Sequence, residues 1–423
     1  VTADNRGSAD FGSESLARVV QLVRSGTAVT RLDLITKTGL GRAVVRQRVD
    51  LAIELGLLEE SGIGSSTGGR TPRLLRFRAE AGLLVLAAVG TEGITIGIAD
   101  AQGAVLAAQS FAWDIAKGPA STLKRIEREV RPLLAALPPA PVWGVGIGLP
   151  GPVEFASGRP VMPPIMPGWD GADVRGAFEA TFGAPVWVDN DVNVLALGAR
   201  DRLSSVEGQN LMYVKVGSGI GAGLVSNGRI HRGADGAAGD FGHVAVPGST
   251  VPCRCGQLGC LEAMAGGWAL VRDARLAVAE GRSPFLRQMV ERDGDIQLED
   301  ISAAVAAGDA YSVAAVEAAA RTLGEALASF VSIFNPSLIV IGGGSLPLGG
   351  SFLARVRESI YRRSLPLATR NLRVVSQAAD GLEAVRGVGT LVTQQIFGEL
   401  LADWVVDADP VSAILAGQRA LAS

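Results

Sequence analysis

From residue 81 onward the chain alternates between short, almost wholly apolar runs and longer stretches with helical patterning. Each apolar run ends abruptly on glycine or on an acid. LLVLAAVG and ITIGIADAQGAVLAAQSF come first, with a Gly/Asp turn at 100–103. VWGVGIGLPG, PVWVDND, LMYVKVGSGIGAGLV and SLIVIGGG follow, and helical stretches lie between them, including 119–136, 266–281, 311–334 and 384–399. Strands alternating with helices predict an α/β body whose sheets are largely buried. Two lobes follow from that pattern, divided near 190–210, with the last helix returning to the first lobe.

The 423 residues suffice for two to four domains, and 48% hydrophobic against 19% charged residues excludes wholesale disorder. Three cysteines exclude a disulfide scaffold and point to a reducing, cytoplasmic setting. The first fifteen residues hold no apolar core of a secretory signal, and no run of about 18 apolar residues suggests a membrane partner. The net charge of −3 hides an asymmetry. Residues 1–80 carry twelve Lys+Arg against nine Asp+Glu, whereas the remainder carries 27 against 33. A small basic module on an acidic body is the footprint of a nucleic-acid reader.

That module reads as three helices and a hairpin. Ser13 can cap a helix over 13–24 with Leu16, Val19, Val20 and Val23 on one face. Thr30 and Asp33 resemble a capping box, opening a short helix that Gly39 ends after Thr38. A third helix over 42–55 buries Val45, Val49, Ala52 and Ile53, and Gly56 stops it. Two helices joined by a tight turn read as helix-turn-helix. The segments 57–60 and 73–77, joined by SGIGSSTGGRTP, then form a β-hairpin wing.

All three cysteines lie within eight residues, as Cys253, Cys255 and Cys260, and His243 stands ten positions upstream. Three thiolates and an imidazole suit a closed, tetrahedral and therefore structural Zn2+ site. Asp189, Asn190 and Asp191 follow a strand, Asp240 precedes His243, and Glu262 follows the cysteine loop. Carboxylates, an amide and an imidazole can together take several hydroxyl protons of a polyhydroxylated ligand, although Asp189 alone equally suits a helix cap or turn. The glycines at 217–223 can bring bare N–H groups to phosphate or merely turn a hairpin, and those at 342–344 are equally ambiguous.

Taken together, 240–262, DNDVN at 189–193, VGSGIGAGLVSNG at 216–228 and IGLPGPV at 147–153 resemble the ROK family of repressors, open reading frames and sugar kinases. The resemblance spans roughly 13–398. It implies a winged helix-turn-helix followed by an α/β two-lobed actin-like ATPase fold, with sugar and nucleotide between the lobes. The domains it implies are a DNA-binding unit at 1–80, a first lobe at 81–200 joined by helix 384–399, and a second lobe at 201–383. That second lobe would carry the zinc loop and a dimerisation surface, and 400–423 would be a variable tail. It further implies zinc on His243, Cys253, Cys255 and Cys260, and a sugar pocket lined by Asn190, Asp191, Asp240, His243 and Glu262. Asp191 matches the catalytic base of the kinases.

The departures from the family are informative. Where its kinases carry an Asp-x-Gly-x-Thr phosphate loop, this chain has Ala88 and Glu92 at the outer positions. A methyl cannot help hold a metal–phosphate complex, and a second anion repels one, so kinase activity is expected to be lost. Asp240 replaces the usual Glu, and Ile165 stands where Asn is common, so the effector is a sugar, a sugar derivative or another metabolite. In the head, Arg42, Arg46, Gln47 and Arg48 would face bases or phosphates, and Arg70 and Arg73 of the wing would reach phosphates or a minor groove. Operator DNA, a small-molecule effector and a homodimer or homotetramer are the implied partners. An active sugar kinase with a DNA-binding extension and a mere dimerisation scaffold are the alternatives. His231 has no assigned role.

Overall fold

The computed structural model describes residues 5–63, 73–203, 208–343, 350–377 and 380–401. Three helices open the chain: α1 (Asn5–Arg24), α2 (Arg31–Thr38) and α3 (Arg42–Glu54). An antiparallel hairpin of β1 (Leu58–Ile63) and β2 (Arg73–Phe77) completes this head. Thr30 Oγ1 accepts from Asp33 N at 3.1 Å while the Asp33 carboxylate accepts from Thr30 N at 2.9 Å, so the capping box is real and sets the start of α2. Leu16, Val19, Val20, Val23, Leu34, Val45, Val49 and Ala52 are buried together. Two details differ from expectation. Helix α1 starts at Asn5 rather than 13, so Ser13 lies within the helix and not at its N-terminal cap, and Ile53 is only half-buried at the core's edge.

The body is one topology used twice. The first lobe runs β3 (Leu83–Val89), β4 (Gly93–Asp100), β5 (Val105–Ala112), α4 (Pro119–Ala135), β6 (Val142–Leu149), the small hairpin β7 (Val153–Glu154) and β8 (Arg159–Pro160), α5 (Val174–Phe182), β9 (Val186–Asn190) and α6 (Asp191–Asp201). Its sheet has the order β5-β4-β3-β6-β9. The second lobe runs β10 (Leu211–Val216), β11 (Ile220–Ser226), β12 (Arg229–Ile230), α7 (Leu261–Ala265), α8 (Gly267–Ala279), α9 (Pro284–Asp293), α10 (Leu298–Ala306), α11 (Ala310–Phe334) and β13 (Leu338–Gly342). It ends with α12 (Gly350–Arg363), α13 (Pro366–Thr369), β14 (Arg373–Ser376) and α14 (Glu383–Gln395), and its sheet has the order β12-β11-β10-β13-β14. In both sheets three strands form an antiparallel meander and two more join in parallel. This is the actin-like arrangement.

The two lobes exchange their last helices. Helix α6 leaves the first sheet yet packs Ala196 and Ala199 against Leu211, Tyr213 and Val225 of the second. Helix α14 leaves the second sheet and packs Val388 and Val392 over Gly144 and Gly146 of the first. The two helices cross almost backbone to backbone: a Cβ on Gly387 would stand 1.7 Å from the Val194 carbonyl oxygen, and one on Gly198 would stand 2.2 Å from that of Glu383. Only glycine allows that approach. The crossing lies beneath the cleft, and the first residue of α6 is Asp191.

The head is bonded into the body rather than tethered to it. Its core continues through Leu75 and Phe77 into Leu84, Leu86, Trp143, Val388 and Phe397. Arg24, the last residue of α1, lies with its guanidinium 4.6 Å from the Phe397 ring centroid and 5.9 Å from that of Phe77. Arg24 Nη2 donates to the Gln102 carbonyl at 3.0 Å, and Gln102 Nε2 donates to the Arg24 carbonyl at 3.1 Å. Burial lowers the Arg24 pKa to about 10, with Asp100 and Asp201 opposing the shift.

Candidate functional site

The segment from 243 to 260 folds back on itself through isolated antiparallel bridges between Ala245 and Cys260 and between Pro252 and Leu258. One donor atom each from His243, Cys253, Cys255 and Cys260 thereby converge within 4.8 Å of one another. Cys255 Sγ and Cys260 Sγ are 3.7 Å apart, and Cys253 Sγ and His243 Nδ1 are 3.8 Å apart. A tetrahedron with metal–sulfur bonds of about 2.3 Å has edges of about 3.8 Å, so this cluster could bind a metal ion of that size. Burial pushes the Cys260 thiol up to about 12 and also raises Cys253, whereas hydrogen bonds to the Gln257 amide and to both other thiols outweigh burial and lower Cys255. Three crowded thiols do not all ionise unaided. A cation bound among them would favour the thiolate forms.

Beside this cluster lies a cavity of about 350 Å³ between the lobes. Asn190, Asp191, Asp240, His243 and Glu262 all line it, with Gly90, Thr91, Glu92, Ile165, Lys215 and Arg254 among the other walls. Each side chain has a local reason for its place. Asn190 caps α6 by accepting from Val192 N at 2.8 Å and donates to the Gly151 carbonyl at 2.6 Å, so much of its amide is already engaged. Glu262 Oε2 accepts from Ile220 N at 2.9 Å and Oε1 from Trp268 Nε1 at 3.0 Å, bracing the carboxylate against the glycine hairpin. A Cβ on Gly219 would fall 2.4 Å from Glu262 Oε2, which explains a glycine there without any phosphate. Asp240 stands exposed at the mouth, yet loss of water on its protein side raises its carboxyl, and His243 acts the other way. With His243 Nδ1 turned to Cys253, Nε2 is the ring's other polar atom.

Three residues that sequence reasoning passed over organise the cleft. Lys215 Nζ, on β10, lies 2.5 Å from Asp191 Oδ2 and ties the two lobes together. Arg232 donates through Nε at 3.0 Å and Nη2 at 2.7 Å to Asp189 Oδ2 and stacks 3.8 Å from the Phe155 centroid. Asp189, only 2% exposed, also accepts from Asn193 Nδ2 at 2.8 Å, so it is a buried structural carboxylate. Arg254 lies 4.7 Å over Trp268, the residue that holds Glu262. Lys215 carried a sequence signal: it is the lone charge in the run LMYVKV. Arg232 carried none. Glu92 is exposed on the turn between β3 and β4 that walls the cavity, and Ala88, on β3, is half-buried with only a methyl to offer. His231 is exposed, and its N–H donates to Leu224 O at 2.7 Å.

On the head, Arg42, Arg46 and Gln47 are exposed on α3, with the Arg46 side chain 80% open and its Nε 3.6 Å from Asp50 Oδ2. Arg48 corrects the expectation that it faces outward. It is half-buried, and its Nε donates to Ser15 Oγ at 2.8 Å, which fastens α3 to α1. The register of α3 explains this, because position 48 falls beside the buried Val45 and Val49. Arg73 pairs with Glu60, which also accepts from Arg31 Nη1 at 2.5 Å. Arg70, Gly344 and the segment 402–423 lie outside the described residues. Among the described residues no helix is long and apolar enough to cross a membrane.

These features define a class: an actin-like α/β body with a ligand-sized interlobe cleft, a cluster of one histidine and three cysteines able to hold a metal ion at its rim and a winged helix-turn-helix head. The chain belongs to the ROK family, whose pattern matches residues 87–395. It is similar to a putative xylose repressor of Caldicellulosiruptor sp. (strain Rt8B.4), 30% identical over 370 residues that cover 86% of this chain and 91% of that one. It is also similar to a glucokinase of Halalkalibacterium halodurans, 33% identical over 255 residues covering 60% of this chain and 76% of the other. Among solved structures it shares the fold of a ROK family transcriptional regulator described as a homolog of the E. coli MLC protein. That match has a TM-score of 0.76 at 23% identity and covers 96% of this chain and 100% of that one.

Proposed function

We propose that this chain is a sugar-responsive DNA-binding transcription regulator, a repressor that no longer transfers phosphate. The observation that carries the reading is the continuous core joining the helix-turn-helix head to the cleft-bearing body through Phe77, Trp143, Val388 and Phe397. A head fused this firmly can respond to the arrangement of the lobes. The named xylose repressor, similar over most of both chains, supports the same reading. Arg42, Arg46, Gln47, Arg70 and Arg73 are the DNA contacts of this proposal, with Arg48 retained as an internal strut.

The chemistry of the cleft supports ligand binding without catalysis. Phosphoryl transfer needs neutralised, positioned phosphates and a free base. Here Asp191, at the position of the kinase base, is held by Lys215, Glu92 adds an anion and Ala88 supplies nothing. Asn190, Asp191, Asp240, His243 and Glu262 would orient the hydroxyl groups of a sugar. Zinc would be held by His243, Cys253, Cys255 and Cys260, shaping the loop that brings His243, Arg254 and Cys255 to the wall. Two heads on a homodimer or homotetramer would match the half-sites of a palindrome. The exposed Ile333, Leu365 and Leu367 of the second lobe supply apolar surface for such an assembly. Three cysteines that form no disulfide accord with a cytoplasmic location.

The transmission path proposed here runs along α6. Its first residue is in the cleft, and its last, Asp201, is hydrogen-bonded by Thr390 of α14 and close enough to Arg24 for each to shift the other's pKa. Ligand that changes the Asp191–Lys215 contact would thus reach the base of the head, the differential contact a population shift requires. Thermal-shift screening of the whole chain against neutral sugars, sugar phosphates and sugar acids, run beside a coupled ATP assay, tests the proposal. A specific shift without turnover is expected. Robust turnover would establish the kinase instead, and no shift across the panel would contradict ligand sensing.

A further inference from the structure

Helix α3 leaves three successive residues at its start exposed, Arg42, Ala43 and Val44, before Val45 turns into the core. Val44 is 37% exposed, an open β-branched apolar side chain one turn before Gln47. The outward stripe of the helix runs through Ala43, Gln47 and Asp50, with Val44 on one flank and Arg46 on the other. Val44 and Gln47 stand three apart and are neighbours on that surface. Asp50 is occupied by Arg31 at 2.9 Å, so it does not place a free anion beside them.

We propose that Val44 is a base-reading residue, its isopropyl group packing on the 5-methyl of a thymine in the major groove. This rests on the DNA-binding reading given above and deepens it. The N-terminal residues of a recognition helix are the ones that reach base edges. An A·T pair shows four features there: the adenine N7 acceptor and N6 donor, the thymine O4 acceptor and the thymine methyl. Gln47 satisfies the adenine pair bidentately and leaves the methyl on the same edge without a partner. Val44 supplies an apolar surface beside Gln47, with Ala43 small enough to let the helix approach. The flanking Arg42 and Arg46 hold phosphates or guanine and set the register. The patch therefore selects an A·T pair framed by cationic contacts, and Val44's part in that recognition is hydrophobic.

The test uses the full chain. A duplex is first selected from a random library, and each thymine is then replaced singly by deoxyuridine, which removes the methyl and leaves every hydrogen-bonding group in place. Affinities are read by fluorescence anisotropy for the unmodified chain and for Val44→Ala, a substitution that favours the helix. At one thymine in each half-site the unmodified chain should lose about fourfold in affinity, the worth of roughly one buried methyl. In Val44→Ala that loss should fall below about twofold while the other positions are unchanged. Equal penalties in the two proteins at every thymine would overturn this inference and leave DNA binding standing. Failure of the chain to select any duplex would overturn the DNA-binding reading and this inference with it.

Discussion

Lys215 shows how one residue changes the meaning of its neighbours. Its ammonium group against Asp191 turns a carboxylate suited to proton abstraction into half of an interlobe ion pair. Asp191→Asn would leave Lys215 facing the cavity unpaired, and sugar affinity in a calorimetric titration should fall at least tenfold if the carboxylate holds a hydroxyl. At the metal cluster, Cys260→Ser is expected to drop the zinc content from one per chain to well below half by elemental analysis. It should also lower the melting temperature, because an ion on these four donors would stabilise the folded loop. Glu383 gives a pH signature. Its side chain is buried beside Tyr213 and Gln377, and burial raises its pKa to about 6 from an ordinary 4.5. The folded form binds that proton more tightly than the unfolded chain, so its contribution is full below pH 4.5 and is lost as pH rises through 6. Glu383→Gln should therefore be more stable than the unmodified chain at pH 7.5 by up to about 2 kcal/mol, with no difference near pH 4.5, measured by denaturant unfolding.

Elements explain what the sequence could and could not reveal. The head was legible almost residue by residue, because capping box, glycine stops and 3.6-residue periodicity are local signals, and Thr30, Asp33 and Gly39 do what such residues do. The central strands were legible too, as apolar runs ending on glycine or an acid, whereas the edge strand β14 and the two-residue β7, β8 and β12 are too short or too polar to read. Helix α6 was not. DVNVLALGARD is packed on both lobes and apolar nearly all round, so it has no polar face to betray a helix, and it starts on what reads as a strand-end acid motif. The outward assignment of Arg48 failed because only the packed register shows that it turns towards α1. The five cleft residues were within reach as motifs, but their mutual bracing by Trp268, Ile220 and Gly151 depends on contacts far apart in sequence. The crossing of α6 and α14 sets a sharp expectation. Gly387→Ala must push apart two backbones and should cost on the order of 3 kcal/mol or more by denaturant unfolding. Gly389→Ala, whose new Cβ would meet the Leu86 side-chain tip at 3.3 Å and the Gly103 carbonyl oxygen at an ordinary 3.6 Å, should cost far less.

At the scale of the whole molecule, a repeated lobe supplies a cleft, swapped helices make the two lobes mechanically dependent, and the head shares the core of that device. The −3 net charge is the sum of a basic reader and an acidic sensor, and the three cysteines converge on one cluster. Arg24 stands at the junction of head, first lobe and α14. Arg24→Met keeps apolar contact with Phe77 and Phe397 but removes the charge near Asp201. It should leave DNA affinity within about threefold while shrinking the effect of ligand on that affinity, a pattern that a purely structural role would not produce. The central claim is that occupancy of the cleft is read at the head. The direct measurement is the affinity of the full chain for its selected duplex, by anisotropy, with and without a saturating concentration of the sugar that gives the largest thermal shift. A change of at least about fivefold is expected, the lower end of ordinary allosteric coupling. An affinity unchanged by a sugar shown to be bound would contradict the account.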